Sequence, residues 1–514
     1  MAQALAPVTA LLLAISFLIL GHGLQSTLLP LAGSEAGFSE LAIGLVSSSY
    51  FFGMVLGCLG APYVIMRAGH IRAFAALVSL MSAAAILHPV LVEPVAWSLI
   101  RVVSGFCLAG FYMIVESWLN EQASNENRGT IMSIYIVIVN ASMTVGQLSL
   151  TGMDVTTFVP FAVASVAVSL AVIPVSLTTA NQPAPITVVS FRPVKLYRNS
   201  PTALVAALLI GVTQGALWMM APLYAIQMGL STNEAAYFTA AIIGAGALAQ
   251  WPIGRISDRF DRRFVLLGLS GAAVVVGLVF IGAPITGLAV ALVMALLAGV
   301  AIQPSYAIAV SHAFDHADRD DYVETSSGMI LAFGIGSSIG PLSAAYLMQT
   351  VGPWGLFLQI AAVQALLGLY ILSRLFQRAA PTLEEKTDFD YASTAQVGSV
   401  LTPDPLDIED PQVISPEEFP AYETDPEADE NLVQEETFAT AEDEEETGDD
   451  EAAPLAESET GESRATGEPE TQEPDTGSTD ETSSRAAGTT SDKEGAGEDT
   501  KADGPDETPD KRGE

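Results

Sequence analysis

Twelve stretches of about 20 mostly apolar residues follow one another along this 514-residue chain, each long enough for a helix to cross the hydrocarbon core of a bilayer. They fall at 7–31, 39–64, 73–91, 95–117, 130–152, 157–177, 201–224, 233–254, 264–283, 287–311, 326–349 and 354–375. An open sheet edge cannot face lipid, and no alternating barrel pattern is present, so the spans are expected to be helices. Short links make consecutive helices close neighbours. The first run has no basic stretch before it and is read as a retained span rather than a signal peptide.

The net charge of −37 would by itself suggest an acidic soluble protein, but it is unevenly distributed. Residues 1–380 sum to −1 and residues 381–514 to −36. The second segment carries "EDEEE" at 442–446 and few apolar residues, so no core can offset its ordering entropy. A disordered, acidic cytoplasmic tail is expected, either simply solvating or with a basic protein or cytosolic cations as its natural partners. Within it, 404–422 is apolar enough for a short docking motif. Nothing in the chain suggests nucleic-acid binding.

Cys58 and Cys107 both lie inside apolar runs, which excludes a disulfide framework and any cysteine metal spacing. His312, Asp315, His316, Asp318, Asp320, Asp321 and Glu324 crowd one link, where such density reads as a solvated face. No metal or other cofactor is expected.

With the N-terminus inside, the even-to-odd links and the segment after the last span hold 13 of the 14 Lys and Arg residues before position 381. The opposite links carry acids such as Glu35, Glu93, Asp154 and Glu234. This is the positive-inside pattern, and it places both termini in the cytoplasm.

The body also repeats. A slide of 192 residues superimposes Gly23 on Gly215, Pro30 on Pro222, Ser39 on Ser231 and Arg67 on Arg259. A slide of 194 superimposes Gly105 on Gly299, Tyr112 on Tyr306, Ser117 on Ser311, Gly146 on Gly340 and Leu148 on Leu342. The fold expected is all-α and membrane-embedded, twelve transmembrane helices in two pseudo-symmetric six-helix bundles. The bundles are 1–177 and 201–380, joined by a cytoplasmic linker over 178–200 and followed by the tail over 381–514. Linker residues 186–201 read either as an amphipathic strip on the membrane surface or as a plain connector. Two halves repeated in this way form a transporter architecture, with its site between the halves near mid-depth.

"GRISDRFDRR", with Gly254, Asp258, Arg259, Arg262 and Arg263, resembles the loop motif of the major facilitator superfamily, although Asp261 stands where the pattern prefers glycine. A first-half copy keeps Arg67, Gly69 and Arg72 but has Met66 in place of the aspartate. "RVVSGFCLAG" at 101–110 and "ESWLNEQASNENRGT" at 116–130 resemble the superfamily's fourth-helix motif and the entry to helix five. The resemblance covers 7–376 and points to bacterial members of little-characterised subgroups. It implies a monomeric secondary carrier in the bacterial cytoplasmic (inner) membrane, working by alternating access on a small solute, with proton coupling open. It also implies that helices one, four, seven and ten line the cavity.

On those helices and their neighbours the polar candidates are His22, Gln25, Arg101, Asn140, Gln147, Gln214, Gln250 and Gln303, with Tyr112 and Trp218 as gating aromatics. So sparse a polarity suits a moderately apolar or amphipathic solute. Arg101 is costly in hydrocarbon, so it must face the interior, either bracing a neighbouring helix or meeting an anionic or proton-carrying group. Gly105 and Ala109 follow it as a small-residue face for close helix approach. Glu116, with Arg128 and Arg67 near it, reads as a latch on the inner gate or as a proton carrier. His22 reads as a titrating group or an outer-turn cap. No nucleophile, acid and base are clustered, so an enzyme is not expected. The alternative to a carrier is a transporter-derived sensor that signals through the tail.

Overall fold

Helix ends leave backbone N–H groups without partners, and this chain supplies caps at the links. Ser39 Oγ accepts from the Ala42 N–H, the Glu93 carboxylate accepts from the Ala96 N–H, and Ser231 and Glu234 form a reciprocal capping box. Gly69, with φ +79°, turns one helix into the next in a backbone conformation that disfavours any side chain.

A computed structural model describes residues 8–123, 127–178, 193–282, 287–317 and 322–375. Twelve of its helices are long and apolar enough to span a membrane: α1 Thr9–Glu35, α2 Glu40–Ala68, α3 His70–Leu87, α4 Pro94–Gln122, α5 Arg128–Leu148, α6 Val159–Ser176, α7 Pro201–Gln227, α8 Thr232–Arg259, α9 Arg262–Gly282, α10 Leu288–Phe314, α11 Glu324–Val351 and α12 Gly355–Leu375. A short helix, Pro193–Asn199, precedes α7, and Lys195 in it stands 3.8 Å from Glu324. Most of the expected linker strip, the acids at 318, 320 and 321, and the tail with its 404–422 motif lie outside the described residues.

The sequence repeat reappears as a repeat of packing. In the first half α1 packs on α5 and α6, α2 on α4, and α3 on α4 and α6; the same pairs recur in the second half with every number raised by six. Between the halves α2 meets α11, α5 meets α8 and α1 meets α7. Alternation of direction puts the odd-to-even links on one face, which is acidic, and the even-to-odd links on the other, which is basic.

Glycines set the closest crossings. The Tyr50 carbonyl occupies the place a Cβ on Gly105 would need, and the Ile242 carbonyl does the same at Gly299. Leu20 and Val212 play this part for Gly146 and Gly340. Glycines 194 apart thus meet carbonyls 192 apart. Ala109, one turn beyond Gly105, meets Gly57, so the small-residue face of α4 has α2 as its partner.

Toward the acidic face the halves are sealed. Gln227 Nε2 donates to Glu40 Oε1 at 3.0 Å, the Gly152 N–H donates to Asn233 Oδ1 at 2.9 Å, and the Leu342 N–H donates to Ser48 Oγ at 3.0 Å. Behind these bonds Leu28, Leu29 and Val46 form one apolar cluster with Leu217, Met220 and Leu223.

Gly105→Ala and Gly299→Ala should each lower stability by about 1–3 kcal/mol, as overpacking at a rigid contact does. Gly268→Ala, with nothing near its added Cβ, should not. Thermal unfolding of the three variants in detergent checks this.

Candidate functional site

Pro304 interrupts α10 between Leu288–Ile302 and Ser305–Phe314. Proline breaks the helix here, and the carbonyls left open at the break find another donor. Gln214 Nε2 on α7 donates to the carbonyls of Ile302 and Gln303, at 2.9 and 3.1 Å. Trp218, one turn further along α7, donates its indole N–H to Gln303 Oε1 at 2.9 Å. The two helices are therefore tied together by side-chain amides where one of them is broken.

This knot forms one wall of a cavity of about 110 Å³ between the halves. The second half contributes Gln214, Trp218, Gln250, Gln303, Tyr306 and Phe333, and the first half contributes Met54, Tyr135, Ile136, Val139 and Asn140. Both sets lie at mid-depth or toward the basic face of their helices. The described lining residues include no charged side chain. Asn140 Nδ2 donates to the Ile136 carbonyl at 2.9 Å. Tyr135 donates its hydroxyl to Glu116 Oε1 at 2.7 Å, so the fully buried Glu116 carboxylate lies one side chain behind the cavity wall.

Of the sequence candidates, Asn140, Gln214, Trp218, Gln250 and Gln303 come together here. The others lie elsewhere. Gln25 and Arg101 border a separate space of about 10 Å³ on the acidic side, with Ser47, Trp97 and Met219, room for about one water. Tyr112 is packed in the apolar core of the first half, and Gln147 is fully buried with both amide atoms lacking hydrogen-bond partners. The sequence reading did not single out Tyr135, Tyr306 or Phe333; of these, Tyr306 alone had a signal, as the repeat partner of Tyr112.

Arg101, 1% exposed, lays its guanidinium over the Tyr50 ring, 4.2 Å from the centroid, and reaches Met219 Sδ at 3.9 Å. Tyr50 in turn stacks on His22 and meets its Nε2 at 3.2 Å. A cation over an aromatic face is worth up to about 2 kcal/mol when desolvated, against about 2.5–3.5 kcal/mol to place arginine at helix centre. The ring offsets much of the burial. Arg101 Nη1, His22 Nδ1 and both amide atoms of Gln25 remain without hydrogen-bond partners.

At the basic end the loop motif is organised within the second half. Arg262 Nε donates to Asp315 Oδ2 at 2.7 Å with both side chains 1% exposed, and its Nη1 reaches Ser257 at 3.0 Å and Asp258 at 3.6 Å. Asp315 is thus a buried partner of the motif, and His312 is buried too, rather than either being part of a solvated face. Among the described residues no group of His, Cys, Asp and Glu forms a metal site. Asp261 has its own role. Its Oδ1 accepts from the Arg263 N–H at 2.9 Å, capping α9, and its Oδ2 accepts from the Arg263 guanidinium at 2.8 Å. Burial raises the Asp261 pKa, but the hydrogen bonds and charge of Arg263 outweigh it and hold the carboxyl below its ordinary value. Arg67, Arg72, Arg255 and Arg259 are exposed, Arg128 is half-buried at the start of α5, and Gly254 is buried on α8.

Asp315→Ala, which strips a carboxylate from a buried guanidinium, should cost about 3 kcal/mol. Asp258→Asn should cost about 1 kcal/mol at most. Because Asp261 is depressed, its contribution is complete above the ordinary carboxylate pKa and is lost as pH falls through the folded value. Asp261→Asn should remove that acid-side slope. Thermal unfolding against pH measures all three.

The family model described as Major Facilitator Superfamily matches residues 11–330 and, in a second alignment, 237–406. The chain is 27% identical over 378 residues to "Uncharacterized MFS-type transporter YcaD" of Salmonella arizonae, covering 73% of this chain and 97% of that one. It is 29% identical over 371 residues to the protein of the same name from Escherichia fergusonii, covering 71% and 95%. Two solved structures share the fold. The nucleoside transporter NupG matches with TM-score 0.61 at 13% identity, over 72% of this chain and 99% of that one. An inward-facing, occupied bacterial homologue of the human lysosomal transporter Spinster matches with TM-score 0.60 at 16% identity, over 73% of this chain and 98% of that one. Twelve apolar helices and relatives named as transporters describe a multi-pass bacterial membrane protein with a transporter's role in moving a solute. The chain belongs to the major facilitator superfamily.

Proposed function

We propose that the protein is a monomeric secondary carrier that moves a small, moderately apolar or amphipathic solute across the bacterial cytoplasmic membrane by alternating access. The observation that carries this is one cavity lined by both halves and closed toward the acidic face by contacts that cross between them. A solute held there touches both halves, so rocking one against the other exchanges the side from which it is reached. Positive charge on the even-to-odd links favours a cytoplasmic basic face with both termini on it, and in that orientation the structure faces inward. Glu116, held by a tyrosine of the cavity wall, is the carboxylate placed to couple a proton to that movement.

Accessibility tests this without a known solute. In a background lacking Cys58 and Cys107, Ser47→Cys on the acidic side should react with an impermeant maleimide from the acidic side only when the halves rock outward. A bismaleimide bridge between cysteines at Glu40 and Gln227 should abolish that reaction while leaving Ala247→Cys, on α8 in the cavity wall, reactive from the basic side. Ser47→Cys labelling that ignores the bridge would overturn alternating access. Once a solute is in hand, Glu116→Gln should stop accumulation driven by a pH gradient and preserve exchange at equal concentrations. Accumulation at the wild-type level would remove Glu116 from coupling.

A further inference from the structure

Three amides of the cavity are not free to turn, because each is held by a partner that can pair with only one of its ends. Asn140 Nδ2 is bonded to a carbonyl, and Gln214 Nε2 is bonded to two. A carbonyl can only accept, so in both residues the NH2 group points into the protein and the oxygen is left over. Gln303 is pinned the opposite way. The Trp218 indole can only donate, so it holds Gln303 Oε1 and leaves the Gln303 NH2 group over. On one wall an acceptor, Gln214 Oε1, thus stands beside a donor, Gln303 Nε2; on the facing half stands a second acceptor, Asn140 Oδ1. Gln250 Oε1, also at the cavity, is a buried acceptor with no partner.

We propose that this cavity selects an uncharged solute carrying a lactam-like edge, an N–H beside a C=O, on a small flat body. The proposal rests on the carrier reading, since it takes this cavity as the transport site. The solute's N–H meets Gln214 Oε1 and its C=O meets Gln303 Nε2, while a further N–H on the opposite edge reaches Asn140 and so bridges the halves. Aromatic rings supply the surface for a flat body: Phe333 lies 4.6 Å from Tyr306 and 6.0 Å from Trp218, centroid to centroid. The absence of charge among the described lining residues argues against an ionised solute, because a charge brought into an apolar, partly closed site is costly unless an opposite charge meets it. The volume of about 110 Å³ suits a single small ring system. Trp218 and the carbonyls freed at Pro304 are positioning elements, since they determine which end of each amide the solute meets.

The experiment is calorimetric titration of the full-length protein in nanodiscs with 2-pyridone, uracil, hypoxanthine and 2-quinolone. Each is compared with its N-methylated form, and uracil also with its 6-carboxylate. At least one lactam should bind, its N-methylated form should bind about tenfold or more weakly for the lost hydrogen bond, and the carboxylate should not compete. Trp218→Phe should reduce the preference for 2-quinolone over indole, which has the N–H without the C=O, severalfold, because Gln303 can then turn its oxygen toward the solute carbonyl; a purely structural role for Trp218 would not alter that ratio. The proposal is overturned if no lactam binds, if N-methylation or carboxylation leaves affinity unchanged, or if Trp218→Phe leaves the ratio intact. Ser47→Cys labelling separates the two readings: if it still switches while no lactam binds, the carrier stands and this solute class falls.

Discussion

Hydrocarbon offers no hydrogen bonds, and most of this structure follows from that. Each backbone N–H and C=O within the membrane needs a partner from the protein, which makes every span a helix. Wherever a helix departs from regularity, a side chain has to make up the deficit. The clearest case is Pro304, which breaks α10 and exposes two carbonyls that Gln214 satisfies from the facing helix. A break that would be a defect against lipid becomes a polar wall when it faces the space between the halves.

The same constraint explains why the helices approach so closely at glycine. Lipid competes with apolar side chains as a packing partner, so association has to come from intimate contact rather than from escape from water. Gly105 on Tyr50, Gly299 on Ile242, Gly146 on Leu20 and Gly340 on Val212 are four such crossings, paired by the internal repeat. They stiffen each half. Between the halves one close crossing, Gly44 on Ala345, is joined on the acidic side by single side-chain bonds such as Gln227 to Glu40 and Gly152 to Asn233. Rigid bodies joined by separable contacts are what a rocking movement requires.

The spans, the repeat and the sorting of arginines were legible in the sequence because each is a property of many residues at once. The expected span boundaries differ from those of the helices mainly by a few residues at the ends, where α2 and α8 run on past the apolar stretch to Ala68 and Arg259. The site was legible only in part. Polar residues on apolar helices pointed to Asn140, Gln214, Gln250 and Gln303, which line the cavity, since facing lipid would have been costly. The same logic could not tell which interior they faced. Gln147 and Tyr112 are buried within the first half, and Arg101 with Gln25 borders the small acidic-side space. Tyr50, the ring that carries Arg101, gave no sign, because an aromatic residue in a membrane helix is indistinguishable from packing until its neighbour is known. Asp315 reads in the sequence as one of a dense run of acids and histidines on a link, and its partner Arg262, 53 residues away in sequence, had no local signature.

The placement of charge is the last constraint on how such a protein works. Glu116 sits behind Tyr135, Arg101 sits over Tyr50 on the acidic side, and Arg262 is neutralised by Asp315 at the basic end. Of these three, Glu116 and Arg101 thus stand one layer away from the cavity and Arg262 is matched by an opposite charge. The cavity itself offers amides and aromatic rings. A fixed charge in that position would bind an opposite charge tightly and slow its release, whereas amides whose remaining valences are only partly met hold a neutral solute weakly enough to let it go. Uniformly tight binding stabilises the occupied state without lowering the barrier to crossing, so a pathway whose charges stand back from it is built for turnover rather than capture.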